Sequence, residues 1–136
     1  MEYEEGEILY LSAKTKDSMP LTGEPIVTRF FKCIDSKDVD GILDLFDYDA
    51  VVYEPFSNIP GGLKGKSSIE PFLKVAMMAN SNLQRTVKFE NANKPNTIKA
   101  LITFEKGGKV KSIFTFEFGD HETIEKKIKL LRIEIL

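Results

Sequence analysis

Glu54 is the residue of this sequence whose type and position best suit it to chemistry. It follows a short β-branched and aromatic stretch, residues 50–53, and directly precedes Pro55. A glutamate carboxylate can act as a general base, and one held among apolar side chains loses hydration and keeps a proton more readily. Alternatively, Glu54 caps the end of the strand or pairs with a nearby lysine at the surface. The sequence leaves both interpretations open.

Three other groups of residues carry weaker chemical signals. The glycine-rich residues 61–67 do not have the spacing of a phosphate-binding loop, because the first glycine of that motif would fall on Pro60. His121 lies between two acids in a polar turn, which is more typical of a solvated loop than of a metal site. Cys33 has no second cysteine with which to form a disulfide. No metal, nucleotide or flavin cofactor is predicted.

The composition indicates one folded domain. The chain has 136 residues, of which 42% are hydrophobic and 29% charged, and ten are Phe. A domain of this size buries roughly two-thirds of its extended-chain surface. Nineteen basic against twenty-one acidic residues give a formal net charge of −2. Such a balance offers no general attraction for nucleic acid or anionic lipid, so neither is a predicted partner.

The first residues do not look like a targeting signal. Residues 1–5 are acidic where a secretory leader is basic, and no apolar stretch approaches the roughly eighteen residues that cross a bilayer. We therefore expect a cytoplasmic protein. Residues 1–22 are predicted to form an N-terminal arm, which docks as a short strand or helix or stays mobile. The single domain is predicted to span residues 23–136.

Hydrophobic periodicity predicts three helices in the first part of the chain. A helix is predicted over residues 24–36, with Pro25 in its first turn. Asp38 is placed to cap a second, shorter helix. Ser67 or Ser68 is placed to cap a third.

Alternating apolar residues predict strands elsewhere. Residues 50–54 predict one strand, which lies between the second and third helices. Four further strands are predicted, separated by turns near residues 93–96, 106–109 and 119–122. This order of elements belongs to the α+β class, with three helices on one face of a strongly curved, mostly antiparallel sheet.

Two motifs in this part of the chain are typical of a known family. Residues 39–55 contain a helix of the form D-h-x-x-L-x-x-L-F, then polar residues and a strand that ends in an acid and Pro; residues 65–72 contain G-x-x-x-I-x-x-F. This pattern resembles the NTF2-like superfamily, whose members include nuclear transport factor 2, ketosteroid isomerases and SnoaL-like polyketide cyclases. The resemblance covers about residues 24–136 and implies a cone-shaped α+β fold.

The resemblance implies a catalytic role for Glu54, but this sequence lacks the two hydrogen-bond donors that act with that carboxylate in the isomerases. Isomerases of the superfamily carry their proton-moving carboxylate at this strand end. Their oxyanion-holding Tyr falls on Phe30 and their protonated acid near Phe114, and neither Phe can donate a hydrogen bond. Loss of an oxyanion donor costs roughly 2.7 to 4 kcal/mol, which argues against a classical ketosteroid isomerase. The other candidate electrophilic partners are Tyr48, Tyr53, Arg85 and Ser112.

The resemblance also implies an apolar pocket inside the cone. We predict a SnoaL-like binding protein or cofactor-independent isomerase or cyclase, in which a small apolar molecule enters the pocket beside Glu54. The alternative is that most of the phenylalanine rings predicted to line this pocket are ordinary core residues that leave no cavity. The pocket-lining residues are predicted to be Phe30, Phe46, Val52, Phe56, Phe72, Phe114 and Phe116.

A second class of function is a non-catalytic interaction module. Members of the superfamily commonly form homodimers through the open sheet, and an apolar outer face is costly in a monomer. The residues predicted on that face are Leu101, Ile113, Leu131, Ile133 and Ile135. A cavity of about a few hundred cubic ångströms beside Glu54 would favour binding or catalysis, whereas a filled cone would favour the interaction module.

Overall fold

A computed structural model of the chain describes residues 8–11, 23–79, 84–90, 92–105, 109–119 and 126–136. Within these residues the chain forms three helices and seven strands. In chain order the elements are β1 (Ile8–Leu11), α1 (Glu24–Ser36), α2 (Val39–Leu43), β2 (Phe46–Tyr53), β3 (Leu63–Lys64), α3 (Lys66–Ala79), β4 (Arg85–Glu90), β5 (Thr97–Glu105), β6 (Lys109–Phe118) and β7 (Ile128–Ile135).

The helices follow from local capping and apolar stripes. α1 begins directly after Gly23, whose φ of 100° lies in the left-handed region that glycine tolerates. Asp38 caps α2 as predicted, because its side chain accepts a hydrogen bond from the Gly41 backbone N–H at 2.9 Å. α3 begins at Lys66, ahead of the serines predicted to cap it. None of the described helices has the length and apolar character needed to span a membrane.

The seven strands form one mixed sheet in the order β1-β4-β5-β6-β7-β2-β3. β1 pairs with β4, and β2 with β7, in parallel. The other neighbouring strands are antiparallel, which confirms the predicted run of four antiparallel strands and the α+β class. The N-terminal arm contributes β1 to the edge of the sheet. The rest of the arm, residues 1–7 and 12–22, lies outside the described residues.

The connection between β2 and α3 contains a short hairpin that the sequence did not predict. Pro60 and Gly61 occupy the centre of a turn that is closed by a hydrogen bond from the Gly62 N–H to the Ile59 carbonyl at 3.0 Å. Gly61 has a φ of 80°, which the third residue of a type II turn requires. β3 then pairs with β2. The hairpin thus fixes the far end of the loop that carries Phe56.

One face of the sheet packs against the helices and forms the core. Residues directly opposite one another share this inner face: Ile102 on β5 lies between Val87 on β4 and Ser112 on β6. The inner face of β6 contacts α1, where the Phe116 ring lies edge-on to Phe30 with centroids 5.2 Å apart. The larger apolar residues that alternate along β6, Phe114 and Phe116, therefore face the core.

The prediction that Leu131, Ile133 and Ile135 face outward is wrong. They lie opposite Phe116, Phe114 and Ser112, respectively, and so belong to the inner face. The physical reason is the alternation along β7, where the exposed Arg132 and Glu134 occupy the positions between them.

Leu101 and Ile113 do lie on the outer face, where they are cross-strand partners and half-buried. Charged residues flank them on the same face, including Lys99 and Lys111. The outer face is therefore less apolar than the sequence indicates.

Candidate functional site

A cavity of about 310 Å³ lies between the inner face of the sheet and helices α1 and α3. In the part of the chain that the structure describes, its walls come from both helices, five strands and the loop after β2, and all but two of these side chains are hydrophobic. The lining residues are Phe30, Phe31, Ile34, Val52, Phe56, Phe72, Leu73, Ala76, Met77, Arg85, Ile102, Phe104, Val110, Ser112, Phe114, Leu131, Ile133 and Ile135.

Phe30 is the centre of an aromatic wall. Its ring lies edge-on to Phe31, with centroids 5.1 Å apart, and to Phe114, with centroids 6.4 Å apart. Such pairs contribute about 0.5 to 1.5 kcal/mol each beyond the burial of their area, so this wall is well ordered. Phe46 and Phe116 also contact Phe30 but are fully buried and do not line the cavity. The other five predicted pocket residues do line it.

Ser112 places a polar group in this apolar wall. Its side chain is 1% exposed, and its hydroxyl has no hydrogen-bond partner among the described residues. Its cross-strand neighbours, Ile102 and Ile135, also line the cavity and offer no polar atom. A buried hydroxyl without a partner costs about 1 to 3 kcal/mol. Ser112 lines the cavity, so a change of its side-chain rotamer would turn the hydroxyl toward a bound molecule.

Arg85 is the second polar lining residue. It begins β4, and its guanidinium donates a hydrogen bond to the carboxylate of Asp35 near the end of α1. The side chains of Arg85 and Asp35 are only 11% and 23% exposed. Asp35 itself does not line the cavity. The ion pair therefore ties a helix to the sheet, and of its two members Arg85 lines the cavity.

The Glu54 carboxylate points into its own loop. It accepts hydrogen bonds from the backbone N–H groups of Phe56, at 2.7 Å, and Ser57, at 3.1 Å, and from the Ser57 hydroxyl. Glu54 does not line the cavity. These contacts are typical of a carboxylate that caps a loop, one of the two interpretations that the sequence leaves open. An acid or base role for Glu54 stays a prediction.

Phe56 marks the mouth of the cavity. It lines the cavity and yet is 71% exposed, and Ile135 on β7 is the other lining residue with a large exposed fraction, 45%. Because the Glu54 carboxylate holds the Phe56 backbone N–H, the loop fixes this ring at the entrance. The mouth therefore lies between the β2–β3 loop and the end of β7.

The remaining candidate partners of Glu54 lie away from the cavity. Tyr48 is 82% exposed, and the Tyr53 ring stacks under the Arg132 guanidinium, 4.4 Å from its central carbon. Of the four candidates, only Ser112 and Arg85 reach the cavity. His121 lies outside the described residues, and within the described ones no group of three His, Cys, Asp or Glu is arranged to hold a metal.

Sequence reasoning missed part of the cavity wall. Ile133 and Ile135 were assigned to the wrong face, although their alternation with Arg132 and Glu134 was a usable signal. Phe31, a buried residue of α1, also lines the cavity and is absent from the predicted lining residues. Nothing in the sequence distinguishes a buried helix residue that faces a cavity from one that faces a filled core.

Solved structures with the same architecture are numerous, although no protein-family model and no curated protein matches the chain. Rv0760c from Mycobacterium tuberculosis is similar at a TM-score of 0.64 and 22% identity, over 85% of this chain and 92% of that one. The same protein has been crystallised in complex with estradiol-17β-hemisuccinate.

Two further solved structures have the same architecture as this chain. A SnoaL-like protein of unknown function from Burkholderia thailandensis has a TM-score of 0.66 and 14% identity, over 86% of this chain and 99% of that one. The Δ5-3-ketosteroid isomerase from Mycobacterium sp. has a TM-score of 0.57 and 22% identity, over 80% of this chain and 88% of that one. The chain thus has the NTF2-like fold of the SnoaL-like proteins and ketosteroid isomerases.

Proposed function

We propose that the protein binds a small, mainly apolar organic molecule in the cavity and holds it by a hydrogen bond to Ser112. The observation that carries this proposal is the buried Ser112 hydroxyl, which has no hydrogen-bond partner among the described residues. A buried water needs about two to four polar partners, and this apolar wall offers few. A ligand hydroxyl or carbonyl would satisfy Ser112 while the rest of the ligand fills the apolar space.

The volume of the cavity sets the size of the ligand. An apolar cavity of about 150 Å³ accepts benzene. The cavity here, at about 310 Å³, is about twice as large. A compact molecule of two or three rings with one or two oxygen atoms suits this space. The steroid complex of Rv0760c and the steroid substrate named for the isomerase support an apolar polycyclic ligand that carries oxygen atoms, although a steroid has four rings.

Binding is better supported than catalysis. An acid–base catalyst must lie within hydrogen-bond reach of the proton that it moves. The Glu54 carboxylate instead accepts hydrogen bonds from the loop and does not line the cavity, and the described lining residues include no carboxylate. A cofactor-independent isomerase or cyclase therefore requires the Glu54 loop to rearrange. Hydrogen–deuterium exchange at carbon in a bound ketone, present in the wild type and lost in Glu54→Gln, would establish that activity.

Self-association through the outer sheet face stays a separate prediction. It now depends on Leu101 and Ile113, since the three other residues assigned to that face line the cavity instead. Sedimentation equilibrium of the wild type and of Ile113→Lys would test it.

A thermal-shift screen tests the proposed function. The probes are bicyclic and tricyclic compounds, each in a hydrocarbon, a ketone and an alcohol form, and a ligand that binds only the folded state raises its melting temperature. We expect the ketone or alcohol to stabilise the wild type more than the hydrocarbon does. Ser112→Ala should abolish that difference, while Ser68→Ala, an exposed serine on α3, should keep it. Equal shifts for all three forms in the wild type would contradict the role of Ser112.

A further inference from the structure

The position of Arg85 relative to Ser112 shows how a ligand can be oriented. Arg85 lies opposite Phe104, which lies opposite Val110, so these three residues form one row across the inner face. Ser112 belongs to the next row, together with Ile102. Both polar residues therefore line the same cavity, in adjacent rows and on strands separated only by β5.

The spacing of the two residues matches the size of the proposed ligand. Two strand spacings are about 10 Å, and one row to the next along a strand is about 7 Å. The Arg85 and Ser112 backbones are therefore roughly 12 Å apart. A molecule of two or three rings can contact one residue at each end.

Arg85 gives its end of the cavity a positively charged side chain. Among the described residues that line the cavity, Arg85 is the one charged residue, and its partner Asp35 lies outside the lining. A guanidinium has five N–H donors in a planar fork, so it can bond Asp35 through one nitrogen and share its other donors with a ligand carboxylate. Apolar walls strengthen that attraction, because few water molecules screen it.

We propose that the ligand is an amphipathic carboxylic acid. Its carboxylate binds Arg85, its ring system lies against Phe30 and Phe114, and an oxygen at its other end bonds Ser112. This inference rests on the proposed function, since it names the chemical class of the molecule that occupies the same cavity. It also assigns Asp35 a role: its negative charge weakens the hold of Arg85 on the carboxylate.

The test compares three probes that share the naphthalene ring system and differ in the polar group of the side chain. They are naphthylacetic acid, its methyl ester and ethylnaphthalene, whose binding is followed by naphthalene fluorescence. We expect the wild type to bind the acid at least tenfold more tightly than the ester, since hydrogen bonds to charged groups are worth roughly ten- to hundredfold in affinity. Added salt should weaken binding of the acid but not of the ester.

Substitutions of the two members of the ion pair should change the affinity for the acid in opposite directions. Arg85→Met keeps an apolar stem and should remove the preference for the acid, so that the acid binds no more tightly than the ester to this variant. Asp35→Asn should strengthen binding of the acid several-fold. Arg132→Met is the matched control, because Arg132 lies on the outer face, stacked on Tyr53, and loses the same charge.

The outcomes separate the two proposals. If the wild type binds the ester as tightly as the acid, the carboxylate proposal is overturned and the apolar binding function stands. If the wild type binds none of the three probes, both proposals are overturned. Should Arg85→Met fail to fold, the salt dependence of the wild type and the result for Asp35→Asn decide the question.

Discussion

Asp35 accepts a hydrogen bond from Arg85, and this ion pair joins the end of α1 to the first residue of β4. The two residues are fifty positions apart in the sequence. Because the Arg85 side chain is largely buried, loss of Asp35 leaves a poorly hydrated guanidinium without its counter-charge.

A double-mutant cycle should detect this coupling. Arg85→Met and Asp35→Asn should each lower the free energy of unfolding, and the double variant should lose less than the sum of the two. We expect a coupling energy of about 1 to 3 kcal/mol, measured by urea denaturation. Additive effects of the two substitutions would show that the pair does not stabilise the fold.

Ser112→Ala should stabilise the ligand-free protein. The substitution removes a buried hydroxyl that has no hydrogen-bond partner in the described structure, and the remaining methyl group suits the apolar wall. The free energy of unfolding should rise by about 1 kcal/mol in urea denaturation. The exposed Ser68→Ala should change it by less than about 0.5 kcal/mol. A destabilised Ser112→Ala would mean that the hydroxyl already has a partner inside the protein.

Ala76→Leu should fill part of the cavity. Ala76 lies on α3 and lines the cavity, so the added methyl and methylene groups gain burial without displacing a neighbour. At about 0.8 kcal/mol for each buried methylene, stability should rise by about 1 to 2 kcal/mol. Binding of any cavity ligand should weaken at least tenfold. Ala79→Leu adds the same group at an exposed position on the same helix and should leave binding unchanged.

Glu54→Gln should loosen the loop without unfolding the protein. The carboxylate accepts hydrogen bonds from the Phe56 and Ser57 backbones, and an amide is a weaker acceptor with only one oxygen. Hydrogen exchange at these two amides should become about three- to tenfold faster, with little change in global stability. Glu134→Gln, an exposed acid on β7, should leave exchange in the loop unaltered.

Cys33 should react slowly with thiol reagents. Burial, followed by the nearby negative charge of Asp38, raises the pKa of the Cys33 thiol above its ordinary value. The folded state therefore favours the protonated thiol, whereas the unfolded thiol ionises once the pH exceeds about 8.5. Stability should accordingly fall as the pH rises beyond that value, and less so in Cys33→Ala. Alkylation at neutral pH as fast as that of a free thiol would contradict this expectation.

The sequence predicts the fold better than the site, and the reason is physical. Helix caps such as Asp38 and the alternation of β6 are local signals, so the elements and their class can be predicted. The β3 hairpin is harder to predict because it contains only two strand residues. The orientation of Glu54 depends on which donors its own loop presents, and that geometry has no signature in residue order.

The polar residues of the cavity are also hard to predict from the sequence. Ser112 and Arg85 are separated by β5, and only strand pairing brings them to one surface. The sequence identifies both as polar residues in apolar strands but cannot rank them against Tyr48 or Tyr53. What separates these candidates is burial, which emerges only from the packed structure.

The parallel pairing of β2 with β7 has a consequence for folding kinetics. Phe46 pairs with Ile128, about eighty residues later in the chain, so closing this part of the sheet carries a large loop-closure entropy. The β4–β6 hairpins are local and can form before it. Because the cavity wall needs both β2 and β7, a cavity ligand finds its site only after the slow step. Such a ligand should therefore slow unfolding and leave the folding rate unchanged.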